Sequence, residues 1–278
     1  MRRTLLLASL GAAGCFDFVG DRGRIGFATN LVVDGQPWDA RSPVADHTVA
    51  QFLAVERIED QRSDGLTFES HARGLDQVEQ SGGSIAVTGA HQRGLVWFTG
   101  DAEDQFSVAF TAPETVQWRH AFGGEVGDVW IRAGATVPLA AAVRDRRGRP
   151  VAYAHTEQSS DLTVEADGDG VVWADAPSFA VNAGDTGPMT LRVSLLGRPL
   201  PAAAVTVVPD SAVVSVELAP IRIGEVCGAL AVGRTAAGHP VLGAARVVHE
   251  EGADPDYPDV AMWTCEGPVP VIGVERAP

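Results

Sequence analysis

The chain has 278 residues, with 36 acidic side chains against 21 basic ones for a formal charge of −15, and every basic residue is Arg. Without a basic cluster this balance excludes a nucleic-acid footprint, which needs concentrated positive charge. A 45% apolar content excludes a globally disordered chain, and the length points to more than one domain.

Arg2 and Arg3 precede an apolar run from Leu5 to Ala13 that ends in small residues before Cys15. A positive start, a short apolar stretch and small residues at its end make a secretory signal. At about nine residues the run is too short to span a bilayer, which takes roughly 20. The stretch Ala12-Ala13-Gly14-Cys15 resembles the lipobox of bacterial lipoproteins, with Ala12 standing where that family most often has Leu. The resemblance implies residues 1–15 as a lipoprotein signal peptide and a diacylglycerol thioether on Cys15. The membrane is then a partner through this lipid anchor. The alternative is an ordinary signal peptide with an incidental Cys. Further on, the longest apolar stretch, Ala202 to Leu218, is broken by Pro209 and Asp210.

Residues 16–113 read as a β-rich unit. Val49, Phe52, Leu53 and Val55 fit a short helix or a buried strand, and strand is preferred. Val33-Asp34-Gly35 and Gln80 to Gly83 are turn signals. Leu95-Val96-Trp97-Phe98 followed by Asp104 to Phe110 reads as a closing hairpin, with Phe106, Val108 and Phe110 alternating against polar or small neighbours. Another sandwich is the simplest reading of this unit.

Shifting the chain by 90 residues brings Ile131-Arg132 onto Ile221-Arg222, Arg144 onto Arg234, Gly148 onto Gly238 and Pro150-Val151 onto Pro240-Val241. The same register places Trp173 on Trp263, expected to be a shared core plug. The first copy, 114–209, has a Gly134 turn and alternating Val137, Leu139, Ala141 and Val143. An Asp145-x-x-Gly148 turn, a Trp173 strand and a terminal pair over Thr190 to Leu195 and Val205 to Val208 follow. In that order these parts resemble a bacterial immunoglobulin-like domain of the invasin and intimin type. The resemblance implies tandem immunoglobulin-like β-sandwiches in an all-β chain.

The second copy, 210–278, departs from the pattern. Only fifteen residues follow Trp263, against thirty-six from Trp173 to Pro209, so one or two closing strands are expected to be short or missing. In this copy Val214, Val216 and Leu218 are expected to alternate inward. If Cys15 carries lipid, Cys227 and Cys265 remain as one pair, and an oxidising compartment lets them bridge. The bridge is expected beside Trp263, between the sheets, stapling a module otherwise too small to be stable. An edge near Val269 to Val274 is expected to accept or donate a strand.

No catalytic constellation emerges. There is no Gly-x-Ser-x-Gly elbow or phosphate-cradling loop, and His249-Glu250-Glu251 meets Ala253 where a zinc helix needs its second His. Two acidic clusters, Glu165, Asp167 and Asp169, and Asp254, Asp256 and Asp259, fit either solvated turns or a Ca²⁺ site. No cofactor is expected beyond the lipid on Cys15, with Ca²⁺ as the open alternative. The reading is a non-catalytic, lipid-anchored bacterial cell-envelope protein, placed at the outer membrane or cell surface. It displays its modules for protein–protein interaction, adhesion or envelope assembly, with an envelope or surface protein as partner. The alternative is a surface module binding Ca²⁺ or polysaccharide.

Overall fold

A computed structural model describes residues 25–56, 68–100, 103–123, 128–156, 158–167, 170–175, 178–223, 226–249, 258–267 and 269–278. The signal segment and Cys15 lie outside the described residues. The described residues are strands joined by turns, with a single 3-10 turn at Asp210–Ala212, and no helix among them is long and apolar enough to cross a membrane.

The first ten strands are β1 (Ile25–Thr29), β2 (Leu31–Val33), β3 (Gln36–Pro37), β4 (Val44–Ala45), β5 (Ala50–Glu56), β6 (Phe68–Arg73), β7 (Asp76–Ser81), β8 (Ser84–Thr88), β9 (Arg93–Gly100) and β10 (Asp104–Thr111). They form two sheets, β1-β5-β8-β7 and β4-β10-β9-β6, with β4 running parallel to β10. This is the A-B-E-D and A′-G-F-C strand order of an immunoglobulin sandwich. Period-two patterning drives it: Phe106, Val108 and Phe110 of β10 turn inward while Gln105 and Ser107 face solvent. The β9–β10 hairpin pairs Asp104 with Phe98. The core joins Phe27, Trp38, Phe52, Phe98 and Phe106, with neighbouring ring centroids 4.9–5.9 Å apart. Trp38 Nε1–H donates to the Ser42 carbonyl at 2.7 Å, so its one polar atom is satisfied inside. Of the two readings of Val49, Phe52, Leu53 and Val55, the preferred strand is what forms, as β5, with Val49 just before it.

The next strands are β11 (Thr115–His120), β12 (Val129–Arg132), β13 (Thr136–Arg144), β14 (Tyr153–Ala154), β15 (Leu162–Ala166), β16 (Val171–Asp175), β17 (Ser178–Asn182), β18 (Gly187–Leu195) and β19 (Arg198–Val208). Their sheets, β11-β13-β17-β16 and β12-β19-β18-β15, repeat the same strand order, again with a parallel pair, β12 with β19. The short β14 pairs with β2 in a sheet completed by β3.

The last strands are β20 (Val213–Ile223), β21 (Val226–Thr235), β22 (Pro240–Val241), β23 (Ala245–His249), β24 (Val260–Thr264) and β25 (Ile272–Arg276). β21 pairs with β20, β22 and β24, and among the described residues β23 pairs with β25. β20, β21 and β24 occupy the places of strands A, B and E in one sheet and β23 and β25 those of C and F in the other, while the two-residue β22 pairs with the end of β21. Strands D and G have no counterpart among the described residues.

By compactness the described residues fall into two units, one within 1–115, 142–163 and 194–200, the other within 116–141, 164–193 and 201–278.

The 90-residue repeat is real at its turn. In the first copy Gly148 N–H donates to the Asp145 carbonyl at 2.8 Å, and in the second Gly238 N–H donates to the Thr235 carbonyl at 2.9 Å. Gly148 and Gly238 sit at φ 74° and 85°, where a side chain is strained. The cap is conserved in kind: Arg149 N–H donates to Asp145 Oδ1, and His239 N–H to Thr235 Oγ1.

Three sequence expectations are corrected. Trp173 is 46% exposed on the edge strand β16, and Trp263 is only half-buried, so neither is a shared core plug. The shift aligns strands in different places: β16 reaches β13 only through β17, whereas β24 pairs with β21 directly. The buried tryptophans are Trp38 and Trp118, 1% and 2% exposed. Val214 is 56% exposed because the β20–β21 register slips between Val213 and Ser215, turning the extra residue outward. The disulfide joins neighbouring strands of one sheet and does not lie between sheets.

Candidate functional site

The last sandwich holds the most unusual surface. Its bridge, Cys227–Cys265, closes a separation of 38 residues with Cα atoms 4.9 Å apart. Cys227 lies directly across from Trp263, and Cys265 immediately follows β24, so the bridge ties β24 to β21. It therefore holds the A-B-E sheet together where no D strand among the described residues supports it.

Among the described residues the opposite sheet has two strands, and the geometry of β25 follows from one hydrogen bond. Ala277 N–H donates to the Ala244 carbonyl at 3.1 Å. Backbone groups alternate sides along a strand, so Glu275 and Gly273 also face β23. Ile272, Val274 and Arg276 then turn their N–H and C=O groups to the other side. The parity agrees on β23, where the outward Val247 N–H donates to the Pro258 carbonyl at 2.8 Å. Among the described residues no strand pairs with that outer side of β25.

In the two complete sandwiches strand G covers this side of strand F. There the inward residues of F are sealed: Val96 and Phe98 of β9 are 0% exposed, Leu191 and Val193 of β18 are 0% and 4%. Ile272 and Val274 pack on Ala231, Ala245 and Val247 but remain half-buried. The adjacent Val269 and Val271 are 70% and 86% exposed. An unsealed F strand next to two exposed valines is an apolar edge whose outward backbone groups meet no partner strand among the described residues.

Glu275 is ion-paired with Arg246 across β23–β25. The Arg276 guanidinium donates to the Val213 carbonyl and lies 4.0 Å from Asp210. These contacts anchor the strand at its C-terminal end.

The acidic residues singled out in the sequence do not converge. Glu165 is exposed on β15, and Asp167, just beyond it, is ion-paired with Arg192. Asp259 is buried, its Oδ2 3.2 Å from Nε2 of the equally buried His120. Phe122 N–H donates to His120 Nδ1, which leaves the ring proton on Nε2, facing Asp259. Asp169, Asp254 and Asp256 lie outside the described residues. Among the described residues no three His, Cys, Asp or Glu side chains gather as a cation site.

Two clefts lie among the described residues away from this edge. One, about 440 Å³, is floored by Trp130 and His239, whose rings stack at 4.3 Å and 8°, and walled by Val208, Ala212, Val214 and Ala236. Its chemistry is apolar contact. The other, about 350 Å³, gathers Asp46, His47, His91 and Arg198. Asp46 accepts the His91 N–H at 2.9 Å, and His47 and His91 hold positive φ of 68° and 53°. Neither cleft is legible in the sequence, because each joins residues far apart in the chain.

No family model and no curated protein matches the chain. Among solved structures it is similar to domains 4–9 of the surface layer protein SbsC, at 13% identity and TM-score 0.31, over 82% of this chain and 39% of that one. It is also similar to the Escherichia coli adhesin FdeC, at 15% identity and TM-score 0.28, over 92% of this chain and 89% of that one. A third is invasin, a bacterial integrin-binding protein, at 14% identity and TM-score 0.24, over 80% and 49%. Likeness at this level assigns neither a partner nor an activity. The immunoglobulin-like architecture stands on the strand order of the chain itself.

Proposed function

We propose that the chain is a non-catalytic lipoprotein of the bacterial cell envelope, held at the membrane through Cys15, whose immunoglobulin-like sandwiches present a protein-binding surface. The observation that carries the interaction reading is the open outer side of β25 beside the exposed Val269 and Val271. A soluble sandwich leaves such an edge uncovered at the cost of unmade hydrogen bonds and wetted apolar surface, and a bound strand supplies both. The membrane assignment is supported by Arg2, Arg3 and the apolar run before Cys15. Lipid there gives attachment without a membrane span.

The interaction reading is tested by a photo-crosslinking side chain at Val271 in intact cells, with Val78, 56% exposed on the edge strand β7, as the control. A discrete protein adduct from position 271 and none from 78 is expected. Equal yields at the two positions, or none at 271, would overturn it. Metabolic labelling with palmitate tests the anchor: the label is expected on the chain and absent from its Cys15→Ala variant, and a label retained by that variant removes Cys15 as the lipid site.

A further inference from the structure

We infer that the open side of β25 pairs with the same strand of a second copy of the chain, joining the two β23-β25 sheets into one four-stranded C-F-F-C sheet across a two-fold axis. This rests on the interaction reading above and names its partner.

Direction favours it. A two-fold axis perpendicular to the sheet sets the strands antiparallel, the direction that strand G (β10) takes beside strand F (β9) in the first sandwich. Register favours it too. The outward groups belong to Ile272, Val274 and Arg276, so the alignment that uses all of them sets Val274 opposite Val274 and Ile272 opposite Arg276 of the second copy. Each facing pair then exchanges both N–H···O=C bonds. Shifting the alignment by two residues toward the N-terminus sets Arg276 opposite Pro270, which has no N–H to donate.

The faces match as well. Residues directly opposite share a face, so the half-buried Val274 of each copy meets its counterpart while Ile272 lies against the aliphatic stem of the opposite Arg276. On the outer face Gly273 comes opposite Glu275, and no like charges meet. The edge is neutral: Val269 to Pro278 contains one acid and one base, in a chain at −15. A neutral edge adds no like-charge repulsion of its own when two copies meet there. A five-residue edge buries little, well below the ~1,200 Å² of a stable interface, so the dimer is transient and is best detected by trapping it.

The test uses the full chain carrying Cys15→Ser, in differently tagged Gly273→Cys and Glu275→Cys forms. A Cβ at Gly273 meets only the Val248 carbonyl oxygen at 3.8 Å, and Glu275 is exposed, so both positions accept cysteine. Positions 273 and 275 form a non-hydrogen-bonded cross-strand pair, where Cβ atoms come closest. Mild oxidation of the mixture is expected to give a disulfide-linked heterodimer, while either form alone stays monomeric. Adding Val274→Pro to both forms, which removes the central outward N–H, is expected to abolish the heterodimer. A mixture that stays monomeric, or a single form that crosslinks as well as the mixture, overturns self-pairing. In that event, protection of the Ile272 and Val274 amides by an added peptide of alternating Val and Thr would leave the interaction reading standing. No protection would remove it as well.

Discussion

Replacing Cys227 and Cys265 by Ala tests why a sandwich with no strands D and G among its described residues holds together. The bridge closes a separation of 38 residues that contains β22, β23 and β24. On the chain-entropy relation a loop of that length contributes about 4 kcal/mol by restricting the unfolded chain. The module has little else to spend. Its buried clusters are small and rich in Ala and Val, as in Val213, Val241 and Ala244, or Ala231, Ala245 and Val247. They contrast with the aromatic core of the first sandwich. With a urea m-value of about 2 kcal/mol per M, the double variant should lose about 2 M in its unfolding midpoint. The transition of this module is followed locally by fluorescence in a background where Trp263, the cross-strand partner of Cys227, is the one tryptophan retained and the other five are Phe. A midpoint lowered by less than about 0.5 M, equivalent to roughly 1 kcal/mol, would refute the staple and show that the small core suffices.

Three further outcomes follow from single side chains. Tyr153 is fully buried and its hydroxyl has no partner among the described residues, so Tyr153→Phe should be neutral or stabilise by about 1 kcal/mol in thermal melts. Burial, with Asp34 nearby, pushes this phenol well above its ordinary 10.0, so above pH 10.0 the unfolded chain loses a proton that the folded chain keeps. Stability should then fall by about 1.4 kcal/mol per pH unit in the parent protein, and the Phe variant should lack that slope. Burial alone would raise Asp145, but the Arg149 and Arg147 N–H groups and the Arg149 guanidinium together bring it below the ordinary 3.8. Its contribution is therefore present above pH 3.8 and lost as pH falls through the lower folded value, and Asp145→Asn should flatten the acid limb of a pH–stability curve. Leu196 holds φ 50° in the hairpin between β18 and β19, 45% exposed, so Leu196→Asn should raise stability by about 0.5–1 kcal/mol; a loss would show that its side chain packs usefully.

Local signals carried most of the fold. The alternation of Phe106, Val108 and Phe110, and the Gly148 and Gly238 turns, were readable because strand period and turn geometry are set by neighbouring residues. What failed was whatever depends on pairing. Trp173 and Trp263 share a spacing but not a place in their sheets, since the spacing does not say which strand lies next door. Val214 was expected inward because nothing in its neighbours marks the register slip that turns it out. The open edge near Val269 to Val274 was expected from the short tail after Trp263. Which of its backbone groups face outward was not, because that parity is set by the Ala277–Ala244 bond between residues remote in sequence. The buried His120–Asp259 pair was hidden for the same reason.

The central claim, that strand F of the last sandwich is uncovered, is tested most directly by hydrogen exchange of individual β25 amides in dilute protein. The account predicts fast exchange at Ile272, Val274 and Arg276 and slow exchange at Gly273 and Glu275, which face β23, with the outward set slowing as concentration rises. Equal protection of both sets at every concentration would mean the edge is already sealed within one chain, and would contradict it.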